Sequence, residues 1–255
     1  MPVKTSLSFG LVYIPVTLNK KVKENDIGFN LIDKKTMSRV QYKKSCVDCG
    51  DRIVKQEDIV KGFEYEKDKY VIFEDEDFEK IKSKKDKSIV IESFVDLSEI
   101  DPVYFDTPYT VVPTGAEKAF GVLVKAMEQE NKAGIAKTVL TSRDTLVAVR
   151  VREGEMILNT LFFADEVKSG QVFSGETGEK ELELAKTIIK SMTEKFQPEK
   201  YKDEYREKVL EAIEKKIAGK RIEPVKEKKA NNVIDLMEAL QKSLKEVKKP
   251  AKKKA

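Results

Sequence analysis

The chain has 255 residues, 40% hydrophobic and 37% charged, enough for one large domain with trailing elements. It holds no histidine, so it has no Ser-His-Asp triad, no Cys-His pair and no His-ligated metal. Its net charge of +4 is uneven: 11 basic and 5 acidic residues from Arg221 onward give +6, and 38 basic against 40 acidic leave residues 1–220 at −2, so the body is not a globally basic binder.

No apolar run approaches the ~20 residues of a membrane span. The start, Met1-Pro2-Val3-Lys4-Thr5, lacks the apolar segment of a secretory signal. Two cysteines in so long a chain argue against a disulfide-stapled secreted protein. Together these predict a cytoplasmic protein. Seven Arg against 42 Lys favour phosphate contact over the reading of base edges.

In chain order, the first elements are β-rich. Leu7 to Leu18 reads as an apolar strand, with Pro15 suiting an edge or a bulge. Glu74-Asp75-Glu76-Asp77 reads as a helix start, because carboxylates favour the first turn and Phe78 and Ile81 follow three apart. Ser88 to Val95 is a β-branched run that leads through the turn signal Asp101-Pro102 to Tyr109-Thr110-Val111-Val112-Pro113. A helix is expected at Glu117 to Glu128, striped by Phe120, Leu123, Val124 and Met127. Gly134 to Leu140, Thr145 to Val151 and Met156 to Phe163 then form a meander, whose short polar connections favour antiparallel neighbours.

From Glu181 the period becomes helical. Leu182, Ala185, Ile188, Ile189, Met192 and Phe196 share one apolar face; Tyr201, Tyr205, Val209, Ala212, Ile213 and Ile217 share another. Pro198 separates them and Gly219 fits a stop. Such stripes are packing surfaces, within one subunit or across two. Residues 221–231 read as a charged linker. Over 232–246, Val233, Leu236, Met237, Leu240 and Leu244 stripe a short amphipathic helix, which docks back on the core or awaits a partner. Residues 247–255 read as a disordered Lys-rich tail.

Two groups of residues could carry chemistry. Cys46-Val47-Asp48-Cys49-Gly50 is half of a zinc knuckle, with Gly50 permitting the turn. Cys46 and Cys49 are two ligands where tetrahedral zinc wants four. A turn without metal, a zinc site completed by carboxylates, water or a second copy, and a redox pair all stay open. The second group is basic. Residues 20–52 hold Lys20, Lys21, Lys23, Lys34, Lys35, Arg39, Lys43, Lys44 and Arg52 against Glu24, Asp26, Asp33, Asp48 and Asp51, or +4 within a body of −2. This is the candidate phosphate-facing strip, with Arg143 added at an expected hairpin tip. Other basic clusters, such as Lys82 with Lys84 and Lys85, read as solvated surface. No nucleotide-binding fingerprint is present.

Five stretches in order resemble bacterial Ku, over about residues 6–244: Ser6 to Val16, Arg39 to Gly50, Ile59 to Tyr65, Phe94 to Pro102 and Val233 to Leu240. The resemblance implies a mixed α+β, β-rich fold: an antiparallel Ku-type β-barrel core over 1–180, an extended DNA-encircling arm over 20–90, and C-terminal helices over 181–220. It implies a homodimer whose two arms close a ring around double-stranded DNA ends, without sequence preference. It also implies recruitment of an ATP-dependent DNA ligase, ligase D, for non-homologous end joining. The Val233–Leu244 segment and tail are thereby assigned to ligase contact and DNA handling. No enzyme activity and no cofactor is required, beyond the zinc question at Cys46 and Cys49. Two other readings compete: a Schiff-base lyase on abasic DNA using a lysine such as Lys4, and a zinc-ribbon scaffold that binds protein.

Overall fold

The computed structural model describes residues 2–23, 25–81, 88–140, 144–175 and 178–222. Arg143, the Lys82, Lys84 and Lys85 cluster, nearly all of the expected linker, and the whole amphipathic segment and tail lie outside these ranges. The chain divides into two compact units, Met1–Ser169 and Gly170–Ala255.

The first unit opens with β1 (Val3–Phe9) and β2 (Val12–Lys20), joined by the two-residue turn Gly10-Leu11. The apolar run expected as one strand is therefore a hairpin. Gly10 takes φ +55, open to glycine at no steric cost, and Leu11 stands fully exposed at the tip. Ile14, Val16 and Leu18 alternate into the core along β2.

Between β2 and Ile89 the described residues, 21–23, 25–81 and 88, leave the barrel as an arm. It carries β3 (Ser45–Cys46), β4 (Arg52–Ile53), β5 (Lys61–Glu66), β6 (Lys69–Phe73) and α1 (Asp75–Ile81). β3 with β4, and β5 with β6, form separate two-stranded sheets. The acidic run starts α1 as expected, with Asp75, Glu76 and Asp77 in the first turn. Phe78 of α1 lies 5.5 Å from the Phe73 ring and 4.5 Å from the Lys61 ammonium. No described residue of the arm is buried.

The chain re-enters as β7 (Ile89–Asp96) and continues through β8 (Phe105–Pro113), α2 (Glu117–Glu130), β9 (Lys132–Val139), β10 (Asp144–Arg152) and β11 (Glu155–Leu161). The strands close a barrel in the order β1-β2-β8-β11-β10-β9-β7. One seam departs from the antiparallel expectation: β7 runs parallel to β1, with Leu7 opposite Ile89 and Ser8 opposite Val90. The barrel is thus mixed. A parallel neighbour needs a long crossover, and residues 21–88 supply one.

Pro15 is tolerated for a local reason. Pairing of β2 with β8 begins at Val16 opposite Pro113, so Pro15 lies beyond the last pair. Only its carbonyl is needed there, and it accepts from the Thr114 amide at 2.9 Å. Leu7, Ile14, Leu18, Ile89, Met156 and Leu158 fill the interior, and Leu123, Val124 and Met127 of α2 join the same cluster. Gly134 in β9 meets β7 at its bulge. A Cβ there would stand 3.0 Å from Ile91 Cδ1, so glycine is what lets the strands close up.

The second unit holds α3 (Glu179–Met192) and α4 (Glu204–Ile217). Asp203 caps α4 by accepting from the Arg206 amide, and Gly219 follows its end at φ +69. Between the helices, Phe196 stacks on Tyr201 with centroids 5.9 Å apart. Neither helix buries a residue, and Leu182, Ile189, Met192, Tyr205 and Ile217 of their apolar stripes are exposed. Among the described residues no helix is long and apolar enough to cross a membrane.

Candidate nucleic-acid interface

Both roots of the arm flank β1. Leu18, near the exit, lies opposite Val3, whereas Ile89, at the re-entry, lies opposite Leu7. Four residues of β1 separate the roots, about 13 Å at a strand's rise. A far shorter segment would bridge that gap, so the arm's length serves something other than the connection.

Lys20 ends β2, and Lys21 begins the arm. The Lys21 amide donates to the Pro108 carbonyl at 2.9 Å. Its ammonium is held at 2.5 Å by Glu155 of β11, whose other carboxylate oxygen accepts from the Thr110 hydroxyl at 3.0 Å. The Lys21 hydrogen bond, then that of Thr110, keeps the Glu155 carboxyl below its ordinary pKa. Lys21 is thus a member of the strip already engaged by a carboxylate.

Lys34, Lys35 and Arg39 share a small loop. Ile32 bridges Arg39, the Val40 amide donates to the Leu31 carbonyl at 2.9 Å, and the Asp33 amide donates to the Ser38 carbonyl at 2.9 Å. Asp33 braces the turn by accepting from the Thr36 hydroxyl at 2.7 Å and the Thr36 amide at 3.0 Å. The Thr36 hydroxyl is the main cause that lowers the Asp33 pKa. Asp33 thereby spends its hydrogen-bonding capacity on the Thr36 hydroxyl and the turn amides, and Lys34 and Lys35 stand exposed on the loop. Among the described residues, no carboxylate pairs with the side chains of Lys34, Lys35, Arg39 or Lys43.

Lys43 and Lys44 lead into the cysteine knuckle. The Lys44 carbonyl accepts from the Val54 amide at 2.9 Å, and its ammonium donates to Gln56 Oε1 at 2.8 Å, a neutral partner that leaves the charge uncompensated. β3 and β4 pair Ser45 with Ile53 and Cys46 with Arg52. Gly50 at φ +61 and Asp51 at φ +57 turn the chain back. The two thiols lie 2.7 Å apart. That hydrogen bond with Cys46 chiefly pushes the Cys49 thiol pKa up, and Arg52 pulls it the other way. Among the described residues no third Cys, Asp or Glu gathers with them into a metal-binding group.

The strip therefore lies on three successive pieces of the arm: the root, the loop and the knuckle. Its charge does not continue. Residues 53–81 hold five lysines against ten carboxylates, a net of −5, before residues 82–88 return +3, so the arm is basic at its start and acidic over its middle stretch 53–81. Two features here lie outside the sequence-based expectations. Glu155, which competes for Lys21, stands 134 residues away and left no local signal. The β5–β6 hairpin was readable, because Phe63 and Tyr65 alternate with Gly62, Glu64 and Glu66 before a short Lys67-Asp68 turn. It leaves Phe63, Tyr65, Tyr70 and Ile72 exposed.

The family model for the Ku70/Ku80 beta-barrel domain matches residues 8–211. A protein of Lachnoclostridium phytofermentans named non-homologous end joining protein Ku is 46% identical over 249 residues, covering 96% of each chain. Proteins of the same name from Archaeoglobus fulgidus and Bacillus subtilis are 41% and 36% identical, over 96% and 97% of this chain and 98% and 82% of their own.

Proposed function

The chain belongs to the Ku family, and from that premise we propose that it binds the ends of double-stranded DNA as a homodimeric ring and brings an ATP-dependent DNA ligase to them in non-homologous end joining. The observation that carries this reading is the arm: rooted at both ends beside β1, with none of its described residues buried, and basic over residues 20–52. Duplex DNA offers about one negative charge per 1.7 Å of axis, so exposed lysines on such an arm supply salt-sensitive affinity without reading sequence. Preference for ends then needs only topology, because a closed loop is threaded from a terminus. The binding requires no catalytic step.

One chain of this size is too small to surround a duplex unaided, and twofold pairing is the simplest closure. The uncovered apolar faces of α3 and α4 support pairing, since 14-residue helices of this kind are marginal without a surface to pack on. The ligase role rests on the family and on the Val233–Leu244 stripe, which lies outside the described residues. The deciding experiment compares linear duplex, the same duplex blocked at both ends, and covalently closed circles. The ring reading expects binding to free ends only, and equal affinity for all three at moderate salt would sink it.

A further inference from the structure

We propose that Arg150 is a positioning residue for DNA binding: from the outer face of the barrel it takes over the Glu155 carboxylate when Lys21 leaves that carboxylate for a phosphate. The inference deepens the ring reading and rests on its phosphate contact at the arm's root. The first observation is placement. Arg150 on β10 lies opposite Ile157 of β11, Ile157 opposite Thr110 of β8, and Thr110 opposite Asn19 of β2. Alternate residues of a strand share a face, so Arg150, Ile157 and Glu155 turn outward, whereas Val149, Met156 and Leu158 fill the core. Glu155 is two residues along β11 from Ile157, which makes it the diagonal neighbour of Arg150. Such neighbours stand ~7–8 Å apart, within reach of long side chains.

The second observation is that Arg150 carries an under-compensated charge. It is half-buried on the wall, and its Nε donates to Oδ1 of the buried Asn159 at 3.1 Å. That bond occupies Nε, and a guanidinium has further N–H donors on its two terminal nitrogens. Among the described residues no carboxylate forms an ion pair with it. Partial burial, followed by the like charge of Arg152, holds the Arg150 guanidinium below its ordinary range, and Glu155 pulls it the other way. A half-buried cation so placed gains from a carboxylate brought closer. The third observation is what Lys21 leaves behind. Glu155 holds the Lys21 ammonium at 2.5 Å and the Thr110 hydroxyl at 3.0 Å, with Arg150 a weaker influence on its carboxyl. When a phosphate takes Lys21, the carboxylate keeps only the neutral Thr110 of those two partners and faces an incoming anion. A fixed cation at the diagonal position lowers the cost of that exchange. Without it, Glu155 holds Lys21 more tightly and the phosphate competes less well. Arg150 thus acts through Glu155 on Lys21.

The test uses the full chain and an end-labelled duplex in a double-mutant cycle. Arg150→Gln, whose amide can still donate to Asn159, should weaken end binding by about threefold, the scale of one exposed charge pair. Arg150→Lys should restore most of that loss. In a Glu155→Gln background, where the carboxylate that holds Lys21 is gone, Arg150→Gln should change affinity by less than about 1.5-fold. An equal loss in both backgrounds, with the log–log salt slope reduced by about 0.9 in each, means that Arg150 contacts a phosphate itself and overturns the inference. A second measurement needs no DNA. In a Lys21→Met chain, NMR titration of the Glu155 carboxyl should give a lower pKa with Arg150 present than with Arg150→Gln added. An identical titration overturns the inference, because a residue that served packing alone would leave the carboxyl unmoved. Closed circles are titrated alongside. A wild-type chain that binds circles as well as free ends removes the ring reading, while the carboxyl titration still decides the pairing of Arg150 with Glu155. An additive cycle with end preference intact removes the role of Arg150 and leaves the ring standing.

Discussion

On the proposed DNA-binding arm, Glu155 sets how far Lys21 is available to a phosphate. Its carboxylate holds the Lys21 ammonium and the Thr110 hydroxyl at once, and both bonds lower its pKa from the ordinary 4.5. A lowered carboxyl stabilises the fold at pH above the ordinary value and loses that contribution as pH falls through the lowered one. Both side chains are over a third exposed, so the contribution is small and salt-screened. Glu155→Gln should melt slightly below wild type near neutral pH, and the gap should close as the pH drops below 4.5. A gap that widens on acidification would reverse the argument. The same substitution releases Lys21, so titration of an end-labelled duplex should show tighter binding, by a factor consistent with about one added phosphate contact. The pair Asp33 and Thr36 follows the same economy: a carboxylate already bound to the Thr36 hydroxyl and amide does not pair with Lys34 or Lys35.

The 31–40 loop and the β5–β6 hairpin allow a test within one arm. Replacing Lys34 and Lys35 by Gln removes two solvent-open charges from a loop whose frame is backbone and Asp33. Affinity for ends should fall alike on all sequences, and the log–log salt slope should shrink by about 2, near 0.9 per phosphate contact. Replacing Lys67 and Lys69 in the acidic stretch should change neither quantity, and an equal loss there would remove the distinction between the two stretches. The legibility of these elements divides the same way. Periodicity located α2 to within two residues of its end, because Leu123, Val124 and Met127 all face the core. It also located the β9–β10–β11 meander, whose neighbours are adjacent in sequence. It merged β1 with β2, because apolar residues run straight through the turn and only Gly10 marks it. The parallel β1–β7 seam was invisible, since alternation says which face is buried and not which strand lies beside it. In the candidate site, the basic strip was legible as a charge count, but the Lys21–Glu155 engagement depends on tertiary structure.

At the scale of the whole molecule, the sign of the charge changes along the chain: basic over 20–52, acidic over 53–81, and −2 across residues 1–220. A ring that prefers ends has two requirements on its field. The bore must attract phosphate, and the rest of the surface must not, or the protein would be held on the sides of intact duplex. In the proposed ring, the acidic stretch over residues 53–81 meets the second requirement. Glu57 and Asp58 follow β4, Glu76 lies in the first turn of α1, and all three are exposed. Reversing these three to Lys changes the net charge by +6 and takes residues 53–81 from −5 to +1. Covalently closed circles offer no terminus, so any gain in binding to them measures side-on attraction alone. The triple reversal should raise affinity for closed circles several-fold at low salt, with a steeper salt slope, and should narrow the ratio of linear to circular binding. Melting temperature serves as the control, because exposed charges contribute little to the fold; all three carboxylates sit in a first helical turn, Glu76 in α1 and Glu57 and Asp58 in the short 3-10 helix Gln56–Asp58, so a small drop is expected. If circle binding stays at the wild-type level while the protein remains folded, the acidic stretch has no part in end preference. The discrimination would then rest on threading through the ring alone.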